Sequence, residues 1–406
     1  MVESKRVAYR QADRIPAKVI AAIIAHLQDD KQSLRACSLV SRDWASPSQH
    51  SLLYSIDVNA GNYKALLKIL SSRQSQFSSF VHDLRIVSTA EEQGKGNWLT
   101  ESIPALSKHF GTIDSLSLIG INWKKQITDR ANTQLRNAFP KATKVVLREC
   151  VFARFSQLAE FLCSFRSARR IEAVECKIDS TGQLPSPKLA LSPHIREVVI
   201  DEAPLMLLTW LAEQPSPLQL EKVAIDAIAP VNFSGMKTIL STSGPSLKHF
   251  QFRFDHHFLH LAVQPQLDLS PNTSLERLEG TLAFPNPFAM RVSLRLPVNV
   301  SFFLPMLSSI TSSKLREIKL NILVASLDNL GSINWEEINR LCKERPWGQT
   351  LERFSIDLTD MAPDTFDPND DWLREAEEII RPALEELHKR DVLSIKLSLS
   401  PPKKYS

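Results

Sequence analysis

Glycine and tyrosine are scarce in this chain, with eleven and four residues among 406. Few glycines leave little room for phosphate-cradling loops, and neither GxxxxGK[ST] nor GxGxxG occurs. A GxSxG elbow and an HExxH helix are absent as well. These absences point away from catalysis, so the sequence reads as a non-enzyme without a cofactor. No run approaches the roughly eighteen uninterrupted apolar residues of a membrane span. The first fourteen residues, MVESKRVAYRQADR, lack the apolar core of a secretory signal. Five cysteines (Cys37, Cys150, Cys163, Cys176 and Cys342) form no CxxC pair. An odd number without a secretory signal reads as reduced and structural. A soluble cytoplasmic or nuclear protein is expected. The charges, 49 basic against 45 acidic, give a net +4 spread along the chain. Neither nucleic acid nor a membrane is therefore an expected partner.

A short pattern is abundant instead: an apolar residue, two others, an apolar, one other, an apolar. It occurs at Leu53/Ile56/Val58, Val81/Leu84/Ile86, Ile113/Leu116/Leu118 and Ala142/Val145/Leu147. It returns at Ala168/Ile171/Ala173, Ile195/Val198/Ile200, Leu220/Val223/Ile225 and Leu247/Phe250/Phe252. The last cases are Leu275/Leu278/Gly280, Leu315/Ile318/Leu320, Leu351/Phe354/Ile356 and Val392/Ile395/Leu397. Steps between the central residues are 28, 32, 29, 26, 27, 25, 27, 28, 40, 36 and 41. Alternation over four or five residues predicts a short strand with one buried face.

Helical spacing fills the intervals. Tyr63, Leu66, Leu67 and Leu70 make one stripe; Phe155, Leu158, Phe161, Leu162 and Phe165 make a second; Leu205, Leu208, Trp210 and Leu211 a third. Asn334 precedes Trp335, Ile338, Leu341 and Cys342 as an N-cap, with Glu337 three residues on. A final helix from Trp372 to about Arg390 places Ala376, Ile379, Ile380, Ala383, Leu384 and Leu387 on one face. Asp371 is its expected N-cap and Pro382 its expected kink. Strand and helix repeated every 25–41 residues resemble a leucine-rich-repeat solenoid, in which each unit needs its neighbours to cover its apolar face. The resemblance is irregular: only Cys150 and Cys176 stand three residues past a last core position, where that pattern has Asn or Cys. Residues 291–302, RVSLRLPVNVSF, alternate well enough for an extra strand.

Metal-like groupings are better explained otherwise. His256, His257 and His260 lack a nearby second pair of ligands. Asp367, Asn369, Asp371 and Glu378 echo a calcium loop, but Trp372 stands where glycine is required.

Residues 15–44 carry more apolar surface than three small helices can bury among themselves. Sixteen of these thirty residues are Ala, Val, Ile, Leu, Cys or Trp, and between Ala17 and Leu27 only Lys18 and His26 are polar. Such a helix needs cover on more than one side. The segment resembles an F-box, especially those of fungal proteins with irregular leucine-rich tails. The likeness rests on Ile15-Pro16, on Val19, Ile20, Ile23, Ile24 and Leu27, and on the LRACSLVSRDW run from Leu34 to Trp44. Leu53-Tyr54-Ser55-Ile56 matches the step out of the F-box, and Lys18 stands where the family has an acidic residue.

The resemblance implies an α/β chain: a flexible tail at 1–11, a three-helix F-box at 12–52, a solenoid of 11–12 units at 53–399, and a tail at 400–406. It further implies docking on a Skp-family adaptor, and through it on a cullin-RING ubiquitin ligase. Ile15, Pro16, Val19, Ile20, Ile23, Leu27, Leu34, Cys37, Val40 and Trp44 would form that contact or the core beneath it. The solenoid would hold a protein target. A second reading stays open, in which the helices of a degenerate F-box simply cap a scaffold solenoid.

Overall fold

The computed structural model describes residues 15–28, 30–72, 77–89, 98–180, 189–201, 204–228, 233–254, 267–283, 303–324, 327–331, 333–360 and 370–398. The expected tails at 1–11 and 400–406, the three DHHFLH histidines, the alternating stretch 291–302, Asp367 and Asn369 lie outside them. The architecture is α/β with parallel strands, in two compact units: residues 1–121 with 125–142, and 122–124 with 143–406.

The first unit opens with three helices, α1 (Ala17–His26), α2 (Lys31–Ser38) and α3 (Arg42–Leu53). They lead into the parallel strands β1 (Ser55–Val58), β2 (Asp83–Val87) and β3 (Ser115–Ile119). Ile56, Leu84 and Leu116 stand in register, as do Val58, Ile86 and Leu118. Helices Tyr63–Leu70, Trp98–Phe110 and Asp129–Ala138 cover the apolar side, burying Trp98, Leu106 and Leu135. At Gly120 the chain leaves β3 with φ +68°, and a Cβ there would lie 2.1 Å from the Ser88 carbonyl oxygen. Only glycine fits that close approach. The α1–α3 helices thus belong to the same unit as the first three strands.

The second unit builds one parallel ladder from nine strands. They are β4 (Lys144–Arg148), β6 (Arg170–Val174), β8 (Glu197–Asp201), β9 (Lys222–Ile228), β10 (His249–Phe254), β11 (Arg277–Ala283), β12 (Glu317–Val324), β13 (Arg353–Asp360) and β14 (Leu393–Ser398). Two more strands, β5 (Val151–Arg154) and β7 (Lys177–Ser180), pair with each other beside it. All twelve positions predicted by alternation, across both units, are strands. The last is displaced: Phe354 stands opposite Leu393 and Ile356 opposite Ile395, so the final step is 39 residues rather than 41. Leu393, Ile395 and Leu397 alternate alike, so a slip of two keeps the same face inward.

Inward positions explain the core. Val145, Ile171, Val198, Val223, Phe250, Leu278, Ile318 and Phe354 form one continuous buried row. Gly280 occupies the next row because its neighbour Phe252 fills the space: a Cβ at 280 would lie 2.6 Å from that ring. The turns before the strands are tied backwards by polar side chains that sequence reasoning missed. Ser192 Oγ donates to the Arg166 carbonyl at 2.8 Å and Ser312 Oγ to the Leu275 carbonyl at 2.7 Å. Asn272, wholly buried, donates through Nδ2 to the Leu240 and Gly244 carbonyls at 2.9 and 3.1 Å. Each of the three lies three residues before a first core position (Ile195, Leu275 or Leu315). Removing the Asn272 amide takes a donor from both carbonyls, of which Gly244 keeps the Leu247 amide at 3.3 Å, so Asn272→Ala is expected to cost about 1–2 kcal/mol. Urea unfolding checks it; an unchanged midpoint would exclude the tie.

The N-cap at Asn334 is present, its Oδ1 accepting the Glu337 amide at 3.0 Å. The last helix runs Asp370–Ala383 and a separate turn Glu385–Lys389 follows, so the chain breaks just after Pro382. Asp371 lies inside the first helical turn rather than capping it, and it pairs with Arg374. Ile379 is partly exposed, while Ala376, Ile380, Leu384 and Leu387 are buried. Burial pushes the Cys342 thiol up to about 12, so it stays protonated and inert near neutrality. A thiol reagent applied to native protein is expected to label the part-exposed Cys37 and Cys163, and to reach Cys342 only on unfolding. Peptide mapping would read the order.

Candidate partner-binding site

The three helices of the first unit close a core of their own before presenting anything outward. Ile20, Ile24 and Leu34 are buried together, and Leu27, Cys37, Trp44 and Leu52 pack around them. The start of α1 is set by Pro16, whose carbonyl accepts the Val19 and Ile20 amides at 2.9 and 3.1 Å. Proline there is the N-cap, one position before the first helical residue. Asp30 caps α2 by accepting the Gln32 and Ser33 amides and the Ser33 hydroxyl. The hydroxyl and amide of Ser33 hold its carboxyl below the ordinary value. That stabilisation is present above the ordinary carboxylate pKa and fades as pH falls through the lowered one.

The ten residues implied by resemblance therefore divide into two sets. Ile20 and Leu34 are core, with Leu27, Cys37 and Trp44 packed against it. Ile15, Pro16, Val19, Ile23 and Val40 are exposed. Val19 and Ile23 stand four residues apart on one face of α1, and Ile15 precedes its N-cap. Val19 is 46% exposed against 2% for Ile20, its neighbour in the chain. At the end of α2, Leu39 is 86% and Val40 66% exposed. Leu39 was missed by sequence reasoning, although it stands inside the LRACSLVSRDW run. Five large apolar residues within 26 of the chain are thus open to solvent. Among the described residues, no group of three or more His, Cys, Asp or Glu could hold a metal, and no helix could cross a membrane.

The other surface with organised chemistry is the polar face of the ladder in the second unit. Glu172 receives Lys144 Nζ at 3.1 Å and Arg170 Nε at 2.7 Å. Burial would raise the Glu172 carboxyl, but Lys144 and Arg170 outweigh it and hold the group below its usual value. Further along, Arg253 joins Asp201 and Asp226, and Lys319 joins Glu279 and Asp357. Cations and carboxylates on neighbouring strands largely neutralise one another.

No protein-family model matches the chain, and no curated protein sequence matches it. Among solved structures, the chain is similar to a Bacteroides fragilis protein determined as a Northeast Structural Genomics Consortium target. The two are 13% identical over 86% of this chain and 75% of that one, with a TM-score of 0.34. A likeness at that level carries no argument for fold or function.

Proposed function

We propose that the chain is a non-catalytic adaptor of an SCF-type (Skp–cullin–F-box) ubiquitin ligase. Helices α1–α3 are its F-box, and the strand–helix units are an irregular leucine-rich-repeat-like solenoid that holds a protein target. The exposed Val19 and Ile23 on α1, with Ile15 just before its N-cap, stand outside a core already closed by Ile20, Ile24 and Leu34, and they carry this reading. A helix that served only its own three-helix core would have no use for large aliphatic residues on its outer face. The mechanism is proximity: holding target and ligase on one body raises the effective concentration of the target near the transfer site.

A second reading has its own observation. The Tyr54 carbonyl at the end of α3 accepts the His82 and Asp83 amides at 3.0 and 2.9 Å, tying the helices to β2. Helices so tied suit an N-terminal cap of a scaffold, but that role leaves the outer stripe of α1 without a purpose. Gel filtration of the purified chain with a Skp adaptor separates the two: co-elution supports the adaptor, and separate elution of two folded proteins supports the cap.

A further inference from the structure

We propose that the free edge of β14 pairs antiparallel with β14 of a second copy of the chain, about a two-fold axis at Ile395. β14 ends the ladder: β13 lies on one side of it, and no strand among the described residues lies on the other. The Phe354 amide donates to the Val392 carbonyl at 2.8 Å, which sets the phase of the pairing. Ser394 and Lys396 therefore turn their backbone groups toward β13, while Leu393, Ile395 and Leu397 turn theirs outward. An open row of this kind is a template for another strand. The inference concerns the second unit alone and stands whether or not α1–α3 dock an adaptor.

The core is also less closed at this strand. Phe354, Ile356 and Leu358 of β13 are wholly buried. Their counterparts Leu393 and Ile395 keep 9% and 8% of their surface, and Leu397 is only partly buried. The helix Asp370–Ala383 packs against β14 and leaves Ile379 37% exposed, so the helix layer carries uncovered apolar surface as well.

Register and charge favour a second copy over a foreign strand. In an antiparallel pair centred on Ile395, Ile395 faces its own copy and Leu393 faces Leu397 of the second copy. Every outward amide and carbonyl of the three residues then has a partner. On the polar face, Ser394 stands opposite Lys396 of the second copy. The two lysines, each exposed and in no ion pair among the described residues, stay apart. Sliding the pair one way sets Lys396 against Lys396, and like charges directly opposite are destabilising. Sliding it the other way sets Leu397 against Asp391, which lies outside the strand. The two-fold axis stands normal to the sheet, so both apolar faces stay on one side and the interface is isologous.

Sedimentation equilibrium of the full chain tests this, with a dimer populated by ~100 µM expected. Ser394→Lys sets like charges across both Ser394–Lys396 pairs and should weaken the dimer by about fivefold or more. Ser394→Glu makes both pairs opposite in charge and should tighten it by about fivefold. Melting of the dilute variants verifies that each monomer is folded, and opposite shifts at one position exclude a folding defect as their cause. Amide exchange should protect Ile395 and Leu397 more at ~100 µM than at ~1 µM. A chain that stays monomeric at ~200 µM overturns the proposal. So does a dimer that neither Ser394 variant shifts, or full edge protection in the monomer, as a segment of the same chain lying on β14 would give.

Discussion

Ile23→Asp is expected to abolish co-elution with a Skp adaptor while leaving the unfolding transition of the chain in place. Ile23 lies on the outer stripe of α1 and is open to solvent, so a carboxylate there stays hydrated in the free protein. In a complex the same carboxylate would be buried without a partner. Losing a central apolar anchor typically costs ~2 kcal/mol or more, and the desolvated charge adds to that. Together they weaken binding by more than about thirtyfold. Ile20→Asp makes the opposite comparison. Ile20 is buried against Ile24 and Leu34, so its substitution disrupts the three-helix core itself, with the ~2–5 kcal/mol of a large core truncation as a lower guide. Loss of adaptor binding by Ile20→Asp therefore says nothing about contact, whereas loss by a folded Ile23→Asp does. Undiminished binding by Ile23→Asp would remove α1 from the interface and leave the cap as the better account.

Ile20 and its chain neighbour Val19, 2% and 46% exposed, differ in a way that periodicity does not reveal. Periodicity finds a buried side only when polar residues mark the other one. From Ala17 to Leu27 only Lys18 and His26 do so, and an apolar residue follows almost every other. The choice of Ile20 over Val19 is made by Leu34, Trp44 and Leu52, supplied by other helices and invisible in α1 alone. The strands were more legible because a period of two separates the faces sharply. Ile318, Leu320, Ile322 and Val324 are buried and their alternate neighbours are not. β5 and β7 escaped notice because each is four residues long and starts within three residues of the strand before it. The backward ties from Ser192, Asn272 and Ser312 were illegible for another reason: a small polar residue in a turn has many uses, and only the neighbouring carbonyl reveals which.

In the second unit, Gly348→Ala is expected to be among the most disruptive single-atom additions, though no strained dihedral is involved. The helix Trp335–Glu344 ends at Arg345, and Pro346 starts a one-turn helix that folds back on it. A Cβ on Gly348 would lie 1.8 Å from the Cys342 carbonyl oxygen and 2.6 Å from its carbon. Both atoms are backbone, so no rotamer change relieves the clash, and the two helices must move apart. Trp347, wholly buried beside it, would move with them. So would the Gly348 carbonyl, which accepts Arg390 Nη1 at 2.6 Å and helps anchor the turn before β14. Overpacking of this kind costs about 3 kcal/mol or more. For a unit of this size that lowers the melting temperature by roughly 6–12 °C. Gly331→Ala is the matched control, since a Cβ there meets nothing within 4 Å. It should be neutral or slightly stabilising, because alanine restricts the unfolded chain more than glycine does. Scanning calorimetry of the two variants decides the matter: equal melting temperatures would mean that the Pro346 turn does not press on Cys342. A large deficit confined to Gly348→Ala would make glycine, in a chain with only eleven, a requirement of that packing.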